Sequence, residues 1–337
     1  MPIRSKRIRK SVADFVNKAF VSSRNNSISK ERLSYLLKAS SNTYVETLCN
    51  KADGLHYHLN KTYPEVLSEE FFKQNRNKIK KLRLGTVDLI ADITEENFYG
   101  KHSGLYVHGW TGEKGIKGKF RFLVVAILFR NKIIPFYISI LPIGCFKAEY
   151  LGEAIEWFSS LGIKAKKIIL DRGFYSGDII NTLKLKKINY LIFVPRRELY
   201  KCMLESVQNE GIIIEHEIKY AKDKSTFLAE TDIALVKEML GYDWVFATDI
   251  FLKDVQKYVY LYKKRWNIET MFRVHDEARI KSKSVKATTR LFYFLISMLL
   301  LLLWNLYLKC QITFKYFVIR IYEEYFCEEI LGIDCIF

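Results

Sequence analysis

The chain has no paired cysteines. Its six, Cys49, Cys145, Cys202, Cys310, Cys327 and Cys335, stand singly with no Cys-x2-Cys among them. That spacing argues against a zinc ribbon, and a chain of 337 residues can fill its own core without a disulfide framework. Histidine is equally sparse, with six residues and no His-x3-His ligand pair. His56 and His58 are two apart, which on a helix turns them to different faces. The basic N-terminus has no apolar stretch behind it, so it does not read as a secretory signal. A reducing, cytoplasmic location is the expectation. Acidic residues are also in short supply, 37 Asp and Glu against 54 Lys and Arg, a formal net charge of +17.

What is present is apolar and basic. Apolar residues make up 49% of the chain and aromatics 15%, enough for a large core and incompatible with general disorder. The length fits one extended domain or two. The positive charge implies an anionic partner, either nucleic acid or an acidic membrane face, although a solvated basic surface gives the same count. It is concentrated in two blocks: residues 1–83 hold 18 Lys and Arg against 7 acids, and residues 250–290 hold 11 against 4. Two blocks predict two contact surfaces on one polyanion.

Residues 291–308 run for eighteen positions without a charge, the lower limit for a membrane span. A helix buried on all sides of a soluble core is apolar all round as well, and Asn305 interrupts the run.

The order of elements narrows the fold. Residues 12–83 read as helices broken by polar turns. Within them, 42–61 resemble a helix-turn-helix, with a turn at Asp53-Gly54 and a second helix that carries His56, His58, Asn60 and Lys61 toward a DNA groove. After Pro64 a Glu/Lys-rich helix ends near Arg83. A strand at 87–94 follows, then a glycine-rich connection (Gly100, Gly104, Gly109, Gly112, Gly115, Gly118). Next comes a hairpin of 119–129 and 133–143 turning at Arg130-Asn131-Lys132. A helix at 148–161, a strand at 167–171, a helix at 178–185 and a strand at 188–194 complete the series. Three antiparallel strands followed by α/β crossovers are the order of a ribonuclease H-like core, a mixed sheet flanked by helices. Residues 198–249, with β-like runs at 211–217, 225–235 and 244–247, read as an insertion, and the chain is helical again from Leu252 through Leu308.

Phosphodiester chemistry needs carboxylates that can hold divalent cations. Asp92 lies at the end of the first strand in an apolar run, and Asp171 at the C-terminal end of the fourth. Each alone reads as a capping or turn aspartate, and Asp88 rivals Asp92 because 88, 90 and 92 share a face. The pair of strand positions points to a site. A third ligand is expected from a later helix, where Tyr262, Arg265, Glu269 and Phe272 fall at spacings of 3, 4 and 3 on one face. An exposed Arg–Glu pair would show the same spacing.

These residues are similar to a known signature. Tyr262-x2-Arg265-x3-Glu269 resembles the Tyr-x2-Arg-x3-Glu-x6-Lys motif of cut-and-paste insertion-sequence transposases of the insertion-sequence-four superfamily. Asp92-x-Thr94 with Tyr99-Gly100 looks like that family's first-aspartate region, and Asp171-Arg172-Gly173-Phe174-Tyr175 like its second. The resemblance covers 85–305. It implies a DDE transposase with Asp92, Asp171 and Glu269 as catalytic, metal-binding triad. Mg²⁺ or Mn²⁺, as two ions, would be the cofactor. The partner would be double-stranded DNA with terminal inverted repeats, bound by a homodimer in a synaptic complex. Tyr262 and Arg265 would contact DNA near the cleaved phosphate, with Arg273, Arg279 and Lys281 beside them and His56 and Lys61 in the N-terminal region. The final Lys of the motif is replaced by Asp276.

The division expected on this basis is a DNA-end-binding region at 1–84, the first part of the core at 85–197, the insertion at 198–249, the glutamate helix and apolar helix at 250–309, and a tail at 310–337, frayed or contacting a partner. The family resemblance makes 291–308 a core helix beneath the sheet and implies no stable membrane association. The rival functions are a decayed, DNA-binding remnant, a metal-dependent nuclease and a membrane-anchored basic protein.

Overall fold

The computed structural model describes residues 2–19, 28–48, 52–101, 104–109, 114–130, 132–195, 198–207, 210–222, 225–307 and 312–333. Cys49, Gly112, Asn131, Leu308, Cys310 and Cys335 lie outside them.

The N-terminal helices are α1 (Pro2–Ala19), α2 (Lys30–Ala39), α3 (Val45–Leu48), α4 (Ala52–Leu59) and α5 (Pro64–Lys80). The Ser29 hydroxyl starts α2 by accepting from the Arg32 amide at 3.3 Å. Pro64 occupies the first turn of α5, where its missing N–H costs nothing. Asp53 and Gly54 do not form the turn expected of them but lie inside α4. Leu55 and Leu59, one helical turn apart and fully buried, hold the helix through the glycine.

One mixed sheet of nine strands organises the rest. Its central members are β1 (Thr86–Phe98), β3 (Gly118–Phe129), β4 (Lys132–Ile140), β5 (Lys164–Leu170) and β6 (Tyr190–Phe193), with the short β2 (His108–Gly109) beside one end of β3. In space they run β4-β3-β1-β5-β6. The first three are antiparallel, and β5 and β6 lie parallel to β1. The helices α6 (Lys147–Ser159) and α7 (Gly177–Leu185) make the two crossovers. Elements and order follow the expectation for a mixed sheet flanked by helices.

Alternation sorts the sheet's two faces. Ile90, Phe120, Phe122, Val124 and Ala126 pack in one core with α1, α2, α4 and the later helices. Leu89, Ala91, Leu123, Val125 and Ile127 pack in another with α6 and α7. A sheet covered on both faces has strands apolar on both, hence the long runs in β3 and β4.

The segment expected to be an insertion is part of the same sheet. After α8 (Glu198–Ser206) come β7 (Gly211–Lys222), β8 (Ser225–Met239) and β9 (Tyr242–Thr248). β9 pairs antiparallel with β6, so the sheet continues through β9-β8-β7. Gly177, at the start of α7, lies so close to the Tyr220 ring of β7 that a Cβ would collide with it.

Three helices close the first face. The expected single glutamate helix is two, α9 (Gln256–Lys263) and α10 (Trp266–Asp276), broken at Lys264-Arg265. A non-helical strap leads to α11 (Ala287–Tyr307), so Arg279 and Lys281 are not on the helix of Glu269. By length and composition α11 could cross a membrane, yet 89% of its most apolar window is buried inside the protein. Phe294 stacks on Phe122 of β3 with ring centroids 4.3 Å apart. Asn305, buried, donates to the Ile133 carbonyl at 3.2 Å, and Ser297 accepts from the Ile280 amide at 2.9 Å.

The last helix, α12 (Phe314–Tyr325), packs one face into the core. Phe314, Phe317, Val318 and Ile321 are buried in the first core, and the π-helical turn Phe326–Leu331 extends it. Glu328 in that turn forms an ion pair with Arg9 of α1 at 2.7 Å.

Candidate active site

Parallel pairing of β1 with β5 sets Ala91 beside Leu170, which brings the following residues, Asp92 and Asp171, side by side at one level of the sheet. Asp171 leaves β5 and begins the single 3-10 turn Arg172–Phe174. Lys147 holds that turn by donating to the Gly173 carbonyl at 2.7 Å. Glu269 approaches from α10, half exposed. The three predicted carboxylates therefore face one region.

Arg265 stands among them. Its guanidinium, 6% exposed, donates from Nη1 to Asp92 Oδ2 at 2.8 Å and from Nη2 to Glu269 Oε1. Its Nε donates to the Tyr262 hydroxyl at 3.0 Å, and that hydroxyl donates to Asp171 Oδ1 at 2.9 Å. One arginine thus ties all three acids, two directly and one through a tyrosine. Tyr262, Arg265 and Glu269 meet across the turn at Lys264-Arg265, on the one face that their spacing of 3 and 4 predicts.

The electrostatics follow from burial. Desolvation pushes Asp92 up to about 6, against the pull of Arg265 and of the Ile93 amide, which donates to Oδ1 at 2.8 Å; the Asp171 and Glu269 charges add to the rise. Burial likewise raises the Tyr262 hydroxyl well above its ordinary value, so it remains protonated and donates. For Arg265 burial works against the charge, and Tyr262, Asp92, Asp171 and Glu269 outweigh it.

Asp88, the rival to Asp92, is committed elsewhere. It pairs with Lys167 at 2.9 Å and with Lys264 at 3.6 Å. The residues that sequence reasoning missed are those behind the site. Phe193, Trp244 and Phe246 surround the Tyr262 ring, with centroids 5.3–6.1 Å away, so strands β6 and β9 fix its position. The aromatic density of 244–246 was the available signal.

The remaining predicted contacts are dispersed. Arg273 is exposed on α10. Arg279 pairs with Asp276 at 3.2 Å. Lys281 lies in the strap, which is stitched to the N-terminal region by Val45 N–H to the Lys281 carbonyl and Lys281 N–H to the Thr43 carbonyl, both 3.0 Å. Arg279, Lys281, Lys283, Arg290, Tyr44 and Tyr99 line a cleft of about 480 Å³. Lys61 is exposed, with its ammonium 2.8 Å from the Tyr57 hydroxyl. His56 is turned inward, its Nε2 3.0 Å from the Tyr293 hydroxyl of α11, so it does not face a groove as expected.

The donor set is all oxygen, which suits a hard divalent cation. Among the described residues no three His, Cys, Asp or Glu side chains are close enough to share one ion. The cation the three acids share here is the guanidinium, and its place among them marks where positive charge is wanted.

Residues 148–306 match the family described as "Transposase DDE domain". The stretch includes Asp171, Tyr262, Arg265 and Glu269 and begins after Asp92. No curated protein matches the chain. Among solved structures, the fold is similar to that of the piggyBac transposase in its synaptic complex with hairpin DNA. The TM-score is 0.55 at 12% identity, over 96% of this chain and 78% of that one. DDE transposases use divalent metal ions, in keeping with the oxygen donors. Residues 148–306, a little under half of the chain, thus match a transposase DDE domain, and this match supports DNA transposition, with cleavage and transfer of DNA strands, as the function.

Proposed function

We propose that Asp92, Asp171 and Glu269 are the catalytic triad of a cut-and-paste transposase of the insertion-sequence-four type, acting on double-stranded DNA with terminal inverted repeats. The observation that carries the reading is the convergence of all three acids on Arg265, from two adjacent strands and a helix far away in sequence. The strand order β4-β3-β1-β5-β6 supports a ribonuclease H-like core.

In this reading Asp92, Asp171 and Glu269 hold Mg²⁺ or Mn²⁺, as two ions. Bound there, the metal supplies the charge that activates an attacking oxygen and stabilises the leaving one. Asp171 and Asp92, fixed on neighbouring strands, orient the ligand oxygens, while Glu269 on a separate helix closes the site. With DNA bound, Arg265 and Tyr262 contact the phosphate next to the cut, and Arg273, Arg279, Lys281 and Lys61 hold the backbone. The N-terminal region through residue 84 recognises the element's end, two copies of the chain synapse two ends, and the enzyme works in the cytoplasm.

The test is metal-dependent cleavage of duplexes carrying the inverted repeats that border the coding region. Asp171→Asn and Glu269→Gln are expected to lower cleavage by at least about a thousandfold while duplex binding persists. Unchanged cleavage by Asp171→Asn would sink the triad. Binding without cleavage by the wild-type chain would identify it as a decayed remnant, consistent with Asp276 at the motif's Lys position.

A further inference from the structure

We propose that Arg265 gates the metal site: its guanidinium holds the triad's oxygens until a DNA phosphate draws it away, so that metal loading and DNA binding are coupled. The inference rests on the triad reading above and adds a regulation to the same site.

The oxygens that ligands of a cation must offer are those Arg265 uses, Asp92 Oδ2 and Glu269 Oε1. The other Asp92 oxygen already accepts from the Ile93 amide. Asp171 is tied through Tyr262, whose hydroxyl bonds Arg265 and Asp171 at once. A guanidinium cannot be removed by deprotonation, because it remains charged at any working pH. It has to move, and moving a buried cation off its carboxylates requires another anion of comparable strength. A phosphate meets that need, since its oxygens match the planar fork of an arginine as well as a carboxylate does.

The surroundings provide a route for such an anion. Lys264, next in the chain, is exposed, and so is Trp266, with the Lys263 ammonium 5.3 Å from its ring centroid. Glu269, the most open of the three acids, lies on the same side of the break as Trp266. A DNA backbone arriving over Lys263, Lys264 and Trp266 therefore meets Arg265 at the helix break. The turn there is held by the Arg265 amide donating to the Tyr262 carbonyl at 2.8 Å, so the guanidinium reaches the phosphate by rotation of its own side chain. With the guanidinium on phosphate, Asp92 and Glu269 lose the cation they share and Tyr262 no longer ties Asp171 to it, and the affinity of these acids for a divalent ion rises.

By linkage the coupling is reciprocal: DNA tightens metal binding by the factor by which metal tightens DNA binding, typically on the order of 5- to 150-fold for coupled sites. Mn²⁺ is the probe, titrated into the full chain with free ion read by electron paramagnetic resonance. The titration is run with and without a duplex carrying the DNA that borders the coding region. The wild-type chain is expected to bind Mn²⁺ weakly alone and at least about 5-fold more tightly with duplex. Arg265→Gln is expected to bind tightly without duplex and to gain nothing from it. Arg265→Lys, which keeps the charge but not the fork, should fall between. If Arg265→Gln binds Mn²⁺ no better than wild type while Asp92→Asn weakens it, the gate is refuted and the triad stands. If Asp92→Asn in the Arg265→Gln background leaves Mn²⁺ binding intact, the triad itself is refuted. Should Arg265→Gln fail to fold, the wild-type arm decides: equal Mn²⁺ affinity with and without duplex overturns the gate.

Discussion

Asp92 illustrates how a functional residue can weigh against the fold that holds it. Its carboxyl titrates near 6 in the folded chain and near 3.8 when unfolded. A carboxyl whose folded pKa is raised binds its proton more tightly in the fold. Its contribution therefore favours folding below about 3.8 and is lost as pH rises through about 6. The gap corresponds to a cost on the order of 3 kcal/mol at neutral pH. Asp92→Asn keeps acceptors for Arg265 and the Ile93 amide without the buried charge. It is expected to raise the melting temperature of the metal-free protein at pH 7.5 and to leave it unchanged near pH 3.5. Thermal melts across that range check this, and an equal gain at both ends would refute it. Asp92 and Asp171 were legible as isolated acids at strand ends. That Tyr262, Arg265 and Glu269 share a face was legible in their spacing; that Arg265 reaches Asp92 was not, because spacing along a helix does not tell which strand it packs against.

At the scale of elements, α11 is the sharpest case. Composition alone admits a membrane span as well as the favoured buried core helix, since both are apolar all round. Packing separates them: Phe294 stacks on a sheet residue, and Ser297 and Asn305 spend their polar atoms on protein partners. Leu299, fully buried, is expected to cost about 2–5 kcal/mol when cut to Ala, measured by denaturant unfolding. The wild-type protein is expected to remain in buffer when challenged with detergent phase separation; partition into detergent would restore the membrane reading. Strand sites were readable because alternation survives in β1, and the hairpin of β3 and β4 because two β-branched runs flank a polar turn. The joining of β9 to β6 was hidden, since no local pattern tells which edge a strand will seek. The Asp53-Gly54 turn failed because two buried leucines outweigh a glycine's preference.

Across the whole molecule part of the surplus charge gathers in clefts. Lys and Arg of α1 and of α5 with its C-cap share one cleft, lined by Arg7, Lys10, Lys18, Lys73, Lys78 and Lys81 together with Asp14. Of the other block, Arg265 lies among the three acids, and Arg279, Lys281, Lys283 and Arg290 line a separate cleft. Contact with about six phosphates predicts a slope near −5 in log K against log salt. Lys78→Glu with Lys81→Glu is expected to flatten that slope by about two without changing metal affinity. Filter binding across a salt series checks it, and an unchanged slope would place the DNA elsewhere. The partner's chemistry was legible in composition; which faces carry it depended on helices brought together from opposite ends of the chain.

The union of those ends has a consequence for synthesis. Arg9 of α1 meets Glu328, and α12 fills the core that α1 and α2 share with α11. A ribosome releases the first helices some three hundred residues before the segment that covers them. The N-terminal bundle therefore cannot close until α12 has been made, and a message cut before α12 yields a protein whose first helices have no completed core to join.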